Sequence, residues 1–400
     1  MRVLVIAPTP FFGDRGCHVR IYEEVRALAA LGIDTLVTTY PTGRDLPDVR
    51  TWRATPVPGF RARELGPSYG RVVLDGSLLA ATIRAARSYR PHILHAHLHE
   101  GILLGHIVRR TAWRVPLVAD LQGGLRAELT DHGFVGSDGV GARALERFER
   151  WLVRRPDLLV VSSSAADAWL ESLGVGDAAI ERIPDGVDLD VFHPAPPDPA
   201  LVARYGLQGK RVIVFLGVLT PYQGVDLLLE SVPAVIAAVP DAHFLLMGYP
   251  YVEEYQAKVN AMGLARHVTL TGRVPYDEAC AHLNLGTLAV SAKQSLTEAN
   301  GKLLNYMACG VPVVATDTAV NRELLGDAGR YVPLGSSAAL ASAMVELLGN
   351  EDDRRRRGAQ LRARAEAEFA WSAAGRRLAA AYDRLLPQQK PRTVTAGAIE

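Results

Sequence analysis

Short, nearly continuous apolar runs alternate along this chain with longer segments whose apolar residues recur at helical spacing. Arg2 to Ala7 (RVLVIA) is such a run and predicts a buried parallel strand. A loop holding Gly13 and Gly16 follows, then a helix over 18–31 with Ile21, Val25, Leu28 and Ala29 on one face. Gly32 stops that helix, and 33–39 is a second strand. Strand, glycine-containing loop, helix and strand open a doubly wound sheet. No G-x-G-x-x-G is present, so a dinucleotide site is not supported. Further strands are predicted at 91–97, 117–121 and 158–163, with helices at 78–86, 140–153 and 165–173.

Turn residues and prolines then crowd Arg182 to Pro199, RIPDGVDLDVFHPAPPDP, which reads as a linker. The second half repeats the plan. Arg211 to Gly217 (RVIVFLG) echoes the opening run; strands at 242–248, 268–270 and 288–291 alternate with helices at 225–239, 251–262 and 277–283. Helices are predicted again at 351–368 and 371–386, and 387–400 carries no apolar pattern. The 400 residues are too many for one compact core. The expected fold class is α/β, with two Rossmann-like domains at 1–185 and 210–369, a linker at 186–209, a C-terminal helix at 370–386 and a mobile tail at 387–400.

One stretch organises the second half: Thr297 to Asp317, TEANGKLLNYMACGVPVVATD. Asn300, Gly301 and Lys302 open it, and Leu303, Leu304, Met307 and Ala308 form one helical face. Gly310 stops the helix and 311–316 is a buried strand. The first turn of such a helix presents unpaired N–H groups, and Lys302 adds a full positive charge, a seat suited to phosphate. The alternative is an ordinary αβ unit with a surface lysine.

Composition narrows the chemistry. Charged residues make up 22% and the net charge is +1, which gives no reason to expect nucleic-acid binding. Cys17, Cys280 and Cys309 are scattered, with no Cys-x-x-Cys, so neither a zinc site nor a disulfide framework is indicated. His95, His97 and His99 alternate and would share one face of an extended strand. That spacing can hold a metal, but no carboxylate or cysteine joins them in the sequence, and a metal is not expected. His97, at a strand end, is expected to face a cleft. Arg50 to Arg90 carries eight arginines against Glu64 and Asp75. It reads either as a solvated face or as a patch for an anionic acceptor or a phospholipid surface. No apolar run approaches a membrane span and the N-terminal run is too short for a signal core, so a cytoplasmic location is expected, with peripheral contact at the inner membrane face as the other reading.

Pro184, Asp185, Gly186, Val187, Asp188, Phe192 and Pro194, with Tyr306, Met307, Ala308, Gly310, Pro312 and Val313, resemble the retaining glycosyltransferases of family 4. The resemblance implies a GT-B fold, a C-terminal helix crossing back onto the first domain, a nucleotide-diphosphate sugar as donor, an unidentified acceptor and no bound metal or cofactor. It implies donor contacts at Gly16, Gly217, Gln223, Arg273, Val274, Asn300, Gly301 and Asn305. It implies catalytic roles at Lys302, Glu298, Gln122 and His97. The chain departs from the family pattern where charge is most expected. The two motif glutamates fall on Thr297 and Asn305, the usual Arg and Lys are absent from Gly217 to Gly224, and Gln122 stands at a histidine position. Lys302 is the best replacement cation, with Arg15 and Arg273 behind it. A non-catalytic nucleotide-sugar binder is the second reading; a GT-B epimerase or phosphorylase is the third, with no acidic catalytic set or cofactor lysine to support it.

Overall fold

The computed structural model describes residues 1–13, 16–59, 69–121, 123–125, 139–162, 164–176, 180–295 and 300–386. Two wholly parallel sheets form. The first contains β1 (Arg2–Ala7), β2 (Asp34–Thr39), β3 (Thr51–Arg53), β4 (Ile93–His97), β5 (Leu117–Leu121), β6 (Leu158–Val161) and β7 (Ile180–Arg182), in the order β3-β2-β1-β4-β5-β6-β7. The second contains β8 (Arg211–Leu216), β9 (Ala242–Met247), β10 (Val268–Gly272), β11 (Leu288–Ser291), β12 (Val313–Thr316) and β13 (Arg330–Val332), in the order β10-β9-β8-β11-β12-β13. Each order runs outward in both directions from its first strand, the doubly wound plan.

The strands are apolar on both faces because helices cover both. In the first sheet Leu4, Ile6, Leu94 and Leu117 enter one core layer, while Val3, Val5, Ile93 and Val118 enter the other. The C-terminal helix, Trp371–Leu385, belongs to that second layer through Trp371, Leu378 and Tyr382. Gly375 is what lets it sit so close, since a Cβ there would stand 2.7 Å from the Cβ of Ala27.

The linker motif is explained by its contact with the start of this helix. Val187 donates its N–H to Phe369 O (2.7 Å) and accepts from Trp371 N (3.3 Å). A Cβ on Gly186 would lie 2.7 Å from the Trp371 ring, so only glycine fits. Asp188 Oδ1 accepts from the backbone of Asp190 and Val191, and its Oδ2 takes Arg26 Nη1 at 2.7 Å. Phe192 is fully buried. The linker is a fixed strap and not a loose tether.

Two expectations need correction. His99 is not on the strand: β4 ends at His97, Leu98 turns with φ 62°, and His99 lies in a helix, Leu98–Thr111. That helix carries Gly101 and Gly105, which weaken its local signal. Their reason is tertiary, since a Cβ at Gly105 would meet Leu117 Cδ1 at 2.7 Å. Nor are the cysteines all scattered: Cys280 and Cys309 lie in one core with sulfurs 3.9 Å apart. Within Arg50 to Arg90, Arg50 pairs with Asp34, Arg53 with Asp45 and Arg71 with Glu100, which favours the solvated-face reading there. Among the described residues no helix is long and apolar enough to cross a membrane.

Candidate functional site

In open α/β sheets ligands gather at the carboxyl ends of the strands where strand order reverses. In the second sheet that point lies between β8 and β11, which pair directly. The chain leaves β8 at Gly217, whose N–H donates to Met247 O at 2.9 Å. A Cβ on Gly248 would stand 1.9 Å from Gly217 O, so the β8 and β9 exits are pressed together by glycine. A short 3-10 turn, Pro221–Gln223, then carries the chain to Gly224 at φ 76°. A Cβ there would meet Ala292 O at 2.0 Å, which locks this turn against the exit of β11. Gln294 N donates to Tyr222 O at 3.0 Å and completes the lock.

Lys302 opens the helix Lys302–Ala308 and reaches into this corner. Its ammonium donates to Gln223 Oε1 at 2.7 Å, lies 4.5 Å from the Phe215 ring centre, and stands 3.0 Å from where a Gly217 Cβ would be. Burial, and after it the charge of Lys293, pulls the Lys302 ammonium well below its ordinary value. Lys302 thus brings an amine from another element to the turn that lacks the usual Arg and Lys. The helix has only seven residues, so the lysine and not the helix dipole is the substantial positive feature. Lys293, buried directly after β11 and 5.6 Å from the Tyr222 ring, is the second cation. It escaped the sequence reading, although its place just past a strand end at the crossover was the available signal.

The other expected donor residues divide. Asn300 is buried, and its amide donates to Ser291 Oγ (3.0 Å) and Asn321 Oδ1 (2.8 Å). It therefore positions the loop before Lys302. Gly301 is exposed, with a Cβ position 3.7 Å from Asp185 Oδ2 of the linker, and Asn305 is half-buried on the same helix. Arg273 packs its guanidinium 5.1 Å from the Tyr249 ring, and Val274 is half-buried against the core. Gly16, at φ 32°, begins the helix Gly16–Ala30, and a Cβ there would meet nothing within 4 Å. Arg15, Gln122, Thr297 and Glu298 lie outside the described residues.

His97 does not stand on an open cleft wall as expected; it is 1% exposed. It joins a buried polar cluster at the carboxyl ends of β4 and β5. Arg20 is its centre, donating to Asp120 Oδ2 (2.6 Å), Asp185 Oδ1 (2.5 Å) and Ile183 O (3.2 Å), with Glu24 Oε1 at 3.0 Å from Nε. Burial works against the Arg20 charge, but Asp120, Glu24 and Asp185 outweigh it and hold the guanidinium protonated. Burial, then Asp120, pushes the Glu24 carboxyl up. Burial, then Arg20, drives His97 down to about 3, and burial and His97 lower His95, so both imidazoles are neutral. Tyr382 of the C-terminal helix bonds His95 Nδ1 at 2.6 Å. Sequence reading missed Arg20, Glu24 and Asp120, because an i,i+4 Arg–Glu pair ordinarily marks a solvated face.

The domains also touch directly. Tyr276, beyond β10, donates to Glu23 Oε1 at 2.9 Å. Burial pushes Glu23 up to about 7 despite that hydrogen bond.

Comparison with known proteins is consistent with this division. A family described as Glycosyl transferase 4-like domain matches residues 15–186, and one described as Glycosyl transferases group 1 matches 210–350. A phosphatidyl-myo-inositol mannosyltransferase of Mycobacterium leprae is 29% identical over 397 residues, 96% of each chain. A GDP-mannose-dependent alpha-(1-6)-phosphatidylinositol monomannoside mannosyltransferase of Mycolicibacterium smegmatis is 32% identical over 212 residues, 50% of this chain and 56% of that one. Among solved structures, sucrose-phosphate synthase from Thermosynechococcus elongatus superposes with a TM-score of 0.79 at 19% identity, covering 96% of this chain and 98% of that one.

Proposed function

The chain belongs to the family 4 glycosyltransferases of GT-B fold, and we propose that it moves a hexosyl group, with retention at the anomeric carbon, from a nucleoside-diphosphate sugar held on Lys302 and Lys293. That it is a glycosyltransferase using a nucleotide sugar follows from the family. The residues, the stereochemistry and the donor are our reading. The observation that carries it is the Lys302 ammonium at the β8–β11 crossover, hydrogen-bonded to Gln223 and backed by Lys293. Two cations there can meet the charge that grows on a departing diphosphate. The leaving phosphate oxygen would take the acceptor's proton on the same face, so no protein nucleophile and no metal are required. Gly217 leaves room for phosphate oxygens against backbone, and Asn300 fixes the loop that aims Lys302. Glu298 and Gln122 remain candidates for the sugar hydroxyls.

GDP-mannose is the first donor to test, because one relative is described as dependent on it, and inositol-bearing acceptors follow from the same relatives. The test is a thermal-shift and nucleotide-release screen with GDP-, UDP-, ADP- and TDP-sugars, each with and without EDTA. One donor should raise the melting temperature and release nucleotide slowly despite EDTA. A screen in which no donor shifts the melt would overturn the site assignment.

Contact with an anionic bilayer is a second, separable proposal. The helix Val140–Leu152 exposes Val140, Phe148 and Trp151 beside Arg143, Arg147 and Arg150. The chain should sediment with phosphatidylglycerol vesicles and not with phosphatidylcholine ones. Paired Phe148→Ser and Trp151→Ser changes should abolish that; unchanged sedimentation in the double variant would refute a role for this helix.

A further inference from the structure

We propose that Glu24, His95, His97 and Asp120 form a site for one divalent transition-metal ion, zinc being the best match, buried at the carboxyl ends of β4 and β5 in the first domain. Each residue offers one ligand atom, and these atoms lie within 4.8 Å of one another. All four side chains are at least nine-tenths buried. Their inward atoms have no hydrogen-bond partner: Glu24 Oε2, His95 Nε2, His97 Nδ1 and Asp120 Oδ1. So many unsatisfied polar atoms turned toward one space are costly unless something is bound among them.

The spacing suits a small ion. His97 Nδ1, the nitrogen it would offer, is 3.9 Å from Asp120 Oδ1, and one ligand atom from each of the four residues falls within 4.8 Å of the others. Four ligands about 2.0–2.2 Å from a tetrahedral zinc stand roughly 3.3–3.6 Å apart, a contraction that small rotations supply. Two imidazoles disfavour magnesium and calcium, and two carboxylates disfavour copper(I).

The surroundings resemble an outer shell. Tyr382 meets His95 Nδ1 at 2.6 Å and can hold the tautomer that leaves Nε2 to ligate. Arg20 binds Asp120 Oδ2 and lies beside Glu24 Oε1, which turns the other oxygen of each carboxylate inward. Arg20 alone does not balance Asp120 and Asp185, and a divalent cation would offset the remaining negative charge and favour the ionised Glu24 carboxylate. Because Tyr382 is on the C-terminal helix and Asp185 on the linker, a bound ion would staple three separate parts of the chain at one point. Its role is structural.

The test uses the full chain without a histidine tag, stripped with chelator. Zinc should return at one equivalent per chain by elemental analysis and raise the melting temperature by roughly 5 °C. Cobalt(II) should give visible absorption of a four- or five-coordinate site. Glu24→Gln keeps shape and should lose at least ~10-fold in zinc affinity while its metal-free melt stays near that of the parent; Tyr382→Phe should lose ~10-fold through its ligand histidine. A stripped chain that takes up neither zinc, cobalt nor manganese overturns the proposal. So does equal uptake by Glu24→Gln, which would place the metal elsewhere.

Discussion

Lys302→Ala is expected to lower kcat/KM by ~10-fold or more while the melting temperature holds. A charge-assisted contact to phosphate contributes about 1.5–3 kcal/mol, and each 1.36 kcal/mol is tenfold in rate. The loss should fall on kcat more than on KM, because charge on the diphosphate grows toward the transition state. The environment of the ammonium adds a second signature. Burial and Lys293 depress it in the free protein, and an arriving diphosphate restores it. Donor binding should therefore take up a proton. Affinity should be strongest at lower pH, where the free lysine is already charged, and weaken as pH rises through its depressed value. Calorimetry in buffers of different ionisation enthalpy measures that uptake, and Lys302→Ala should abolish it. A folded variant with parental turnover would remove Lys302 from the mechanism.

Arg20→Ala should be the most destabilising single change in the first domain, by ~3–5 kcal/mol, because it strands buried carboxylates without their counter-charge. Arg20 is 3% exposed and holds Asp120 and Asp185 at 2.6 and 2.5 Å, with Glu24 at 3.0 Å. Measured on chelator-treated protein, the first unfolding transition should drop by roughly 10 °C. Arg20→Lys should recover little, since an ammonium cannot fork to several carboxylates. The pH dependence has a definite sign. Without Arg20 the folded-state value of Glu24, already raised by burial and by Asp120, rises further above its unfolded value, so folding takes up a proton. The deficit should be greatest at high pH and shrink as the pH is lowered through the raised Glu24 value. A variant melting within about 2 °C of the parent would show that the cluster balances its charge without Arg20.

The legible part of the molecule was the part written in local pattern. Buried strands announced themselves: the bounds read for 2–7, 117–121 and 288–291 agree with β1, β5 and β11 residue for residue. The helix Glu351–Glu368 was equally plain. The helix Leu98–Thr111 was not, because its two glycines oppose helix locally and are justified only by contact with the sheet. Lys302 could be found because it opens a helix next to turn residues. Lys293 was passed over, since one lysine after a strand becomes meaningful only when the strand order puts it at a crossover.

By itself, then, the sequence determined the alternation of strands and helices, the division into two halves and the family, because 2- and 3.6-residue periods and turn chemistry act over a few neighbouring residues. Tertiary structure alone decided which side chains meet. Arg20 reaches Asp120 and Asp185 across 100 and 165 residues, Tyr382 reaches His95 across 287, and Lys302 reaches Gln223 across 79. Those encounters are set by sheet order and by close packing at Gly186, Gly224 and Gly375, where backbones approach too closely for any Cβ. No local period encodes such distances, so Lys302 was legible beforehand but its partners, Lys293 and the Arg20 cluster became legible only once the chain was folded.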